Sequence, residues 1–272
     1  MNIVNSTFLK NNFPPIKFAF ISNYIIRTSR MKRLKTSEKP LVDTILVCDN
    51  VDNWHKQNFK INKNHYPLIS KFTSVRLVTY FAKKGAKIHF NQFKTKDGEL
   101  LRYGVVGWED FKKDLDYWKT LTVSTYMHKP YEVVIDSKEI DSHQRNNLVS
   151  AISIGALFNS NNSKDKYFII SERDFYDAII QIPFVRGSYF KIFDDEIINF
   201  DINDLIDEFR NMYLPVLDSL KNHPDWDDFI IFNSDNSTFK ITNSLKAKEF
   251  FLNNLNLQVY REVSKISHGK KS

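Results

Sequence analysis

The segment Leu41-Val42-Asp43-Thr44-Ile45-Leu46-Val47-Cys48 constrains the fold more than any other stretch of this 272-residue chain. Alternation puts Leu41, Asp43, Ile45 and Val47 on one face of a strand and Val42, Thr44, Leu46 and Cys48 on the other. Both faces are mostly apolar, which predicts a strand in the middle of a sheet covered on both sides. A carboxylate on such a strand must be paired, metal-bound or set near the sheet rim, because an isolated buried charge is strongly unfavourable. Asp43 is therefore the first candidate for a functional role. Upstream, Ile16 to Ser22 is a second apolar strand, and the basic stretch through Arg30-Met31-Lys32-Arg33 between the two reads as a loop.

Downstream, Trp54 to Phe59 reads as a short helix or loop, and Asn62 to Pro67 as a turn with an aromatic anchor. Two alternating runs, Ala86 to Phe90 and Leu100 to Val106, flank Lys96-Asp97-Gly98-Glu99, and Asp-Gly between such runs predicts a hairpin that extends the sheet beside Asp43. From Glu109 the period turns helical, with Phe111, Leu115, Trp118 and Leu121 on one face. Met127 to Pro130 ends that unit, and a second region follows. Leu148, Ala151, Ile152 and Ala156 form a helix stripe within Asp141 to Phe158, and Asn159 to Asp165 reads as a linker. Ser171-Glu172-Arg173-Asp174 fits a capping box ahead of a helix over Phe175 to Ile182 that Pro183 stops. Asp201 starts the clearest helix, whose last turn Pro215 should kink or break. Ser244 to Ser272 sets Leu245, Phe251, Leu252, Leu255, Val259, Val263 and Ile266 near one face and carries Lys246, Lys248, Arg261 and Lys265. Such a helix either lies in a lipid headgroup layer or packs on its own domain. The predicted domains are 13–135, 136–240 and 244–272.

The formal charge of +7 is concentrated rather than spread. Met1 to Ser37 has no acidic residue and holds Lys10, Lys17, Arg27, Arg30, Lys32, Arg33 and Lys35, which account for the whole excess. A local basic lobe suits an anionic partner at one site, a nucleotide or lipid phosphate, rather than a general nucleic-acid grip. It is also compatible with a solvated loop plus part of an import signal, although the first dozen residues lack the Arg-rich amphipathic pattern of a strong one. Cys48 is the only cysteine, so no intrachain disulfide forms. No apolar run is long enough to span a bilayer.

Several short pieces in order resemble one family: Pro14-Pro15-Ile16-Lys17-Phe18-Ala19-Phe20, Lys39-Pro40-Leu41-Val42-Asp43, Trp54-His55, Asn62-Lys63-Asn64-His65-Tyr66, Arg102-Tyr103-Gly104-Val105-Val106, Asp114-Leu115 with Trp118, and His128-Lys129-Pro130. Together they look like the mitochondrial phosphatidate cytidylyltransferases, the CDP-diacylglycerol synthases of the inner membrane. The resemblance covers about residues 13–200. It implies an α+β fold in which a nucleotidyltransferase-like mixed sheet with flanking helices precedes a mainly helical, winged-helix-like domain and a C-terminal amphipathic helix. It also implies CTP and phosphatidate as substrates, Mg²⁺ on Asp43, and a peripheral position on the matrix side of the inner membrane in the service of cardiolipin synthesis. Anionic lipid would meet the basic N-terminal lobe and the C-terminal helix, with room for a homo- or hetero-oligomer. Ser22, Asn23, His65, Tyr66 and Lys129 are the implied substrate-binding residues, with a packed corner as the other reading of His65 and Tyr66.

Departures from the family pattern concentrate where phosphate is handled. The family's Gly-Ser-Gly turn after the first strand reads Ile21-Ser22-Asn23, which keeps the hydroxyl and loses both glycines that let backbone approach phosphate. The Ala-Gly-Arg run ahead of Lys129-Pro130 reads Ser124-Thr125-Tyr126, and the Ser-Tyr-x-Gly-Asp-x-Arg stretch reads Pro183 to Tyr189, so two guanidinium groups are gone from their places. Two expectations follow. Either the chain is a divergent working cytidylyltransferase, or the fold persists as a non-catalytic binding or regulatory partner.

Overall fold

Phe18–Ser22 (β1) and Val42–Cys48 (β2) pair antiparallel at the heart of a five-stranded sheet. The computed structural model describes residues 4–22, 42–66, 87–95, 100–160, 165–180, 202–255 and 259. With Ile88–Lys94 (β3), Leu100–Gly107 (β4) and Tyr131–Ile135 (β5), the strand order is β3-β4-β2-β1-β5. β2 runs parallel to β4, and every other pairing is antiparallel, so the sheet is mixed. The predicted hairpin exists as the β3–β4 pair; its turn, 96–99, lies outside the described residues.

β2 is central because both of its faces are covered. Ala19, Ile21, Leu46, Cys48, Leu101, Tyr103 and Val105 pack with Leu9, Phe13 and Trp54. Leu9 comes from Ser6–Asn12 (α1) and Trp54 from Val51–Ile61 (α2), each capped by an asparagine: Asn5 Oδ1 accepts from Phe8 N and Asn50 Oδ1 from Asn53 N, both at 2.9 Å. On the other face the Phe18 ring meets Phe111 of Trp108–Tyr117 (α3) at 5.8 Å between centroids.

α3 stops at Tyr117 instead of carrying the apolar period through Leu121. The cause is Asp114, which is 2% exposed and draws the following chain around its carboxylate. Its two oxygens accept from the backbone N–H groups of Thr120, Leu121, Thr122, Val123 and Ser124 and from the hydroxyls of Thr120 and Ser124, at 2.6–3.2 Å. Winding the backbone this tightly puts Trp118 and Leu121 at φ of 48° and 52°. It also caps Val123–Met127 (α4), the helix that holds Ser124, Thr125 and Tyr126.

The chain forms two compact units: residues 1–115, 120–127 and 131–141, and residues 116–119, 128–130 and 142–272. The second contains Asp141–Ser160 (α5), Glu172–Ile180 (α6), Ile206–Leu220 (α7) and Leu245–Asn253 (α8). It also holds a three-stranded antiparallel sheet of Tyr167–Ser171 (β6), Ile230–Asn233 (β7) and Thr238–Thr242 (β8), in the order β6-β8-β7, which the sequence reading passed over. The capping box forms: Ser171 Oγ accepts from Asp174 N at 3.0 Å and donates to Asp174 Oδ2 at 2.6 Å. Pro215 does not break α7, which runs on to Leu220. The core stacks Tyr176 on Phe209 at 4.8 Å and packs Phe175 against Phe239 at 4.4 Å. Buried Glu172 is gripped by Arg210 through Nε and Nη2 at 2.7–3.1 Å. Of the predicted C-terminal helix, α8 is seen; 256–258 and 260–272 lie outside the described residues. No described helix is long and apolar enough to cross a membrane.

Removing the Asp114 carboxylate would strand five backbone donors at the start of α4. Asp114→Ala is expected to lower the stability of the protein by about 3 kcal/mol, and Asp114→Asn by less, in urea unfolding. An unchanged midpoint for Asp114→Ala would show that the turn is held by something else.

Candidate functional site

One row of residues crosses all five strands of the first sheet and is polar at every position. Gln92 of β3 pairs with Arg102 of β4, Arg102 with Asp43 of β2, Asp43 with Ser22 of β1, and Ser22 with Tyr131 of β5. The row lies at the end of β1 and near the start of β2, β4 and β5, so it marks one rim of the sheet. Ser22 is 1% exposed, and its hydroxyl has no hydrogen-bond partner among the described residues. A buried hydroxyl left unpaired is unfavourable by about a kcal/mol or more. The Arg102 guanidinium lies over the Phe90 ring at 5.1 Å. Burial, with Asp141 and Asp136 nearby, raises the Tyr131 phenol well above its usual range. The sequence reading brought Ser22 and Asp43 forward and overlooked Arg102, Tyr131 and Gln92 as site residues.

His65 and Tyr66 belong to a buried polar chain beneath α2. Asn62 Nδ2 donates to the Asn12 carbonyl and to Asn58 Oδ1, both at 2.7 Å, which turns the Asn58 amide nitrogen inward. That nitrogen donates to the hydroxyls of Tyr66 at 3.0 Å and Tyr103 at 2.9 Å. Each phenol then has its own proton left to donate, Tyr66 to His55 Nδ1 at 2.9 Å and Tyr103 to His65 Nδ1 at 3.2 Å. Burial favours the neutral form of both imidazoles. His65 also stacks on Phe93 at 4.0 Å, and His89 meets His55 edge-on at 5.4 Å. Burial pushes His55 down to about 3, helped by His89, and burial alone takes His65 down to about 4; burial lowers His89 as well. The network holds Tyr103, the residue after Arg102, so it anchors β4 one position from the polar row.

Lys129 lies in the second unit and is 9% exposed. Burial pushes its amine down from 10.5 to about 8, and no carboxylate pairs with it among the described residues. Burial of the ammonium disfavours its charged form, which is the direction of the shift. Asn23 and the Thr28 to Arg30 segment lie outside the described residues, as do Pro183 to Tyr189. The backbone of Asp43 is placed by its two neighbours in register, Ser22 and Arg102.

The neutral histidines make stability depend on acid. An unfolded histidine takes a proton near its ordinary 6.5, whereas folded His65 and His55 resist until about 4 and about 3. The unfolded state binds more protons across that interval, so stability present above pH 6.5 falls as the pH drops toward the lowered values. The urea midpoint should decline steeply from pH 6.5 to 4.5, and less steeply in His55→Gln. A midpoint flat across that range would mean that the network tolerates charge.

The description of the family model that matches residues 7–271 is "Phosphatidate cytidylyltransferase, mitochondrial". Curated proteins of that name are similar to this chain. The one from Schizosaccharomyces pombe is 27% identical over 183 residues, covering 66% of this chain and 44% of the relative. That from Dictyostelium discoideum is 27% identical over 228 residues, 75% of this chain and 51% of the relative. That from Xenopus laevis is 31% identical over 120 residues, 43% of this chain and 35% of the relative. The chain spans about half or less of the length of these relatives. With a match that runs over nearly the whole chain, this protein belongs to the mitochondrial phosphatidate cytidylyltransferase family.

Proposed function

We propose that the chain is a working phosphatidate cytidylyltransferase whose centre is the polar row of the first sheet. The observation that carries this reading is the buried Ser22 hydroxyl, without a partner among the described residues, in register with Asp43 on the central strand. A phosphatidate phosphate oxygen attacks the α-phosphorus of CTP; a new P–O bond forms as the bond to the bridging oxygen breaks, and pyrophosphate leaves. Nucleotidyl transfer of this kind asks the protein chiefly for positioning and for charge opposite the phosphates. Ser22 supplies a donor to a phosphate oxygen. Arg102 supplies the planar fork that binds phosphate through two N–H groups, in place of the arginines lost elsewhere. Lys129, on the second unit, is the buried amine that the family resemblance implies for substrate binding. His65 and Tyr66 position Tyr103 and thereby β4.

Asp43 is the proposed Mg²⁺ ligand. Among the described residues no cluster of three or more His, Cys, Asp or Glu forms a protein cage. Mg²⁺ commonly keeps several waters and takes one or two carboxylates plus substrate phosphates. When bound, Mg²⁺ neutralises charge on the triphosphate. The same reading carries the nucleotidyltransferase-like identity of the first unit and the winged-helix-like identity of the second. It also carries a position on the matrix face of the mitochondrial inner membrane, where the product feeds cardiolipin synthesis, with the basic N-terminal lobe and the C-terminal helix toward anionic lipid.

One observation favours a second reading. Ile21 stands where the family has glycine; it is fully buried in the core, and β1 stays extended through Ser22. Backbone that relatives bend toward phosphate is strand here, which suits a non-catalytic binding partner.

Purified protein with Mg²⁺, CTP and phosphatidate is expected to form CDP-diacylglycerol, and Asp43→Ala to reduce turnover by at least about a hundredfold. Absence of product together with absence of heat on titrating Mg²⁺-CTP would establish the second reading. Lys129 gives a separate check. Its lowered pKa means that the free protein gains stability as pH rises from about 8 toward 10.5, by on the order of 3 kcal/mol. Lys129→Met should therefore raise the unfolding midpoint at pH 7 without nucleotide and lose the further rise that CTP gives the natural chain. A variant still stabilised by CTP would remove Lys129 from the nucleotide site.

A further inference from the structure

The outer face of the second unit's sheet breaks the usual alternation of buried and polar residues. Register sets Tyr167, Ile169 and Ser171 of β6 beside Thr242, Lys240 and Thr238 of β8, with Ile231 and Asn233 of β7 beyond. The opposite face is the ordinary one, carrying Phe239 and Ile241 into the core. On the outer face Tyr167 is 48% exposed, Ile169 61% and Ile231 46%. Ile169 and Ile231 flank Lys240 on the middle strand, and the Lys240 ammonium lies over the Tyr167 ring at 4.3 Å. None of the eight positions is acidic. Of the acids next to these strands, Asp165 and Asp228 precede β6 and β7, Asp235 lies between β7 and β8, Glu172 is buried against Arg210, and Asp174 accepts from Ser171 Oγ at the edge of the face at 2.6 Å. Among the described residues Lys240 makes no ion pair, and exposed Lys166 immediately precedes β6.

We infer that this face is a docking surface for an anionic lipid bilayer. Two isoleucines and a tyrosine around a lysine match the layered chemistry of a headgroup region: aliphatic carbon goes toward the acyl boundary, the phenol sits at the interface, and the amine reaches a lipid phosphate. Charge decides against the main competitor. Two copies packed face to face about the middle strand would set Lys240 against Lys240, and the acid at the edge of the face, Asp174, is already taken by Ser171 Oγ. A bilayer with acidic headgroups supplies the missing negative charge. The inference deepens the proposed function, since that reading's lipid substrate lies in such a bilayer, but it stands on the face's own composition.

The test uses the full chain and sedimentation with vesicles of phosphatidylcholine alone or mixed with phosphatidylglycerol. Binding should require the anionic lipid and weaken with salt. Lys240→Glu and the double variant Ile169→Ser/Ile231→Ser should each weaken it by about tenfold. Equal binding by all three proteins overturns the proposal. So does a lowered urea midpoint for the double variant without vesicles, which would show that another part of the chain covers the face. A wild-type dimer that Ile169→Ser/Ile231→Ser dissociates would likewise assign the face to a second copy. Turnover on detergent-dispersed phosphatidate separates the two readings: it should survive these substitutions, and its absence in every protein would defeat the proposed activity while leaving the vesicle result standing.

Discussion

Burial of β2 on both faces is the constraint on which the rest of the first unit rests. A strand with water on one side tolerates some slippage, whereas a slip of one residue here would turn every apolar side chain of β2 to the wrong layer. Leu46 and Cys48 would leave the aromatic layer of Phe13, Trp54 and Tyr103, and Ile45 and Val47 would leave the opposite one. Register is therefore fixed by the interior. The polar row at the rim is a consequence: once Ile45 pairs with Phe20 and Gly104, Asp43 can only pair with Ser22 and Arg102. The site is positioned by hydrophobic packing two residues away from it.

Gly104 shows how tight that packing is. A Cβ at this position would come within 2.6 Å of Ile88 Cδ1 and 2.8 Å of Phe90 Cε1, so the glycine lets β3 side chains lie across β4. Phe90 in turn underlies the Arg102 guanidinium. On the other side of β4, the Asn62–Asn58–Tyr103–His65 chain fixes the neighbouring side chain by directional hydrogen bonds. Packing sets the strand and polar geometry sets its tilt, and both lead to one charged residue at the rim.

What could be read in the sequence follows from which forces are local. The central strand, the pairing of β3 with β4 and the cap at Ser171 were legible because alternation and capping act within a few residues. Trp118 and Leu121 were misassigned to a helix face because Asp114 captures amides that helical periodicity does not reveal. Arg102 and Tyr131 were missed as site residues because their place depends on pairing between strands far apart in the chain. The second sheet went unseen for a related reason. Its strands are four or five residues long, and their outward positions include Tyr167, Ile169 and Ile231, so the polar half of the alternation is absent. The surface that hid those strands from pattern reading is the one whose chemistry calls for a lipid partner.

The glycine-poor start of the site has the same logic. The family resemblance implies a glycine turn after β1 that would bring backbone to phosphate. Here Ile21 belongs to the core cluster that also holds Leu46, Tyr103 and Trp54, and the strand runs on to end at Ser22. A branched side chain anchored there resists the positive φ that a phosphate-cradling turn uses, and replacing it with glycine would remove its buried carbons from the core. A glycine turn at this point is thus opposed by packing, and under the proposed function phosphate recognition falls to residues already on the rim: Ser22, Arg102 and Asp43. A site built from side chains in register can hold phosphate without a glycine loop, provided that the strands beneath it do not move, and a central strand buried on both faces supplies that rigidity.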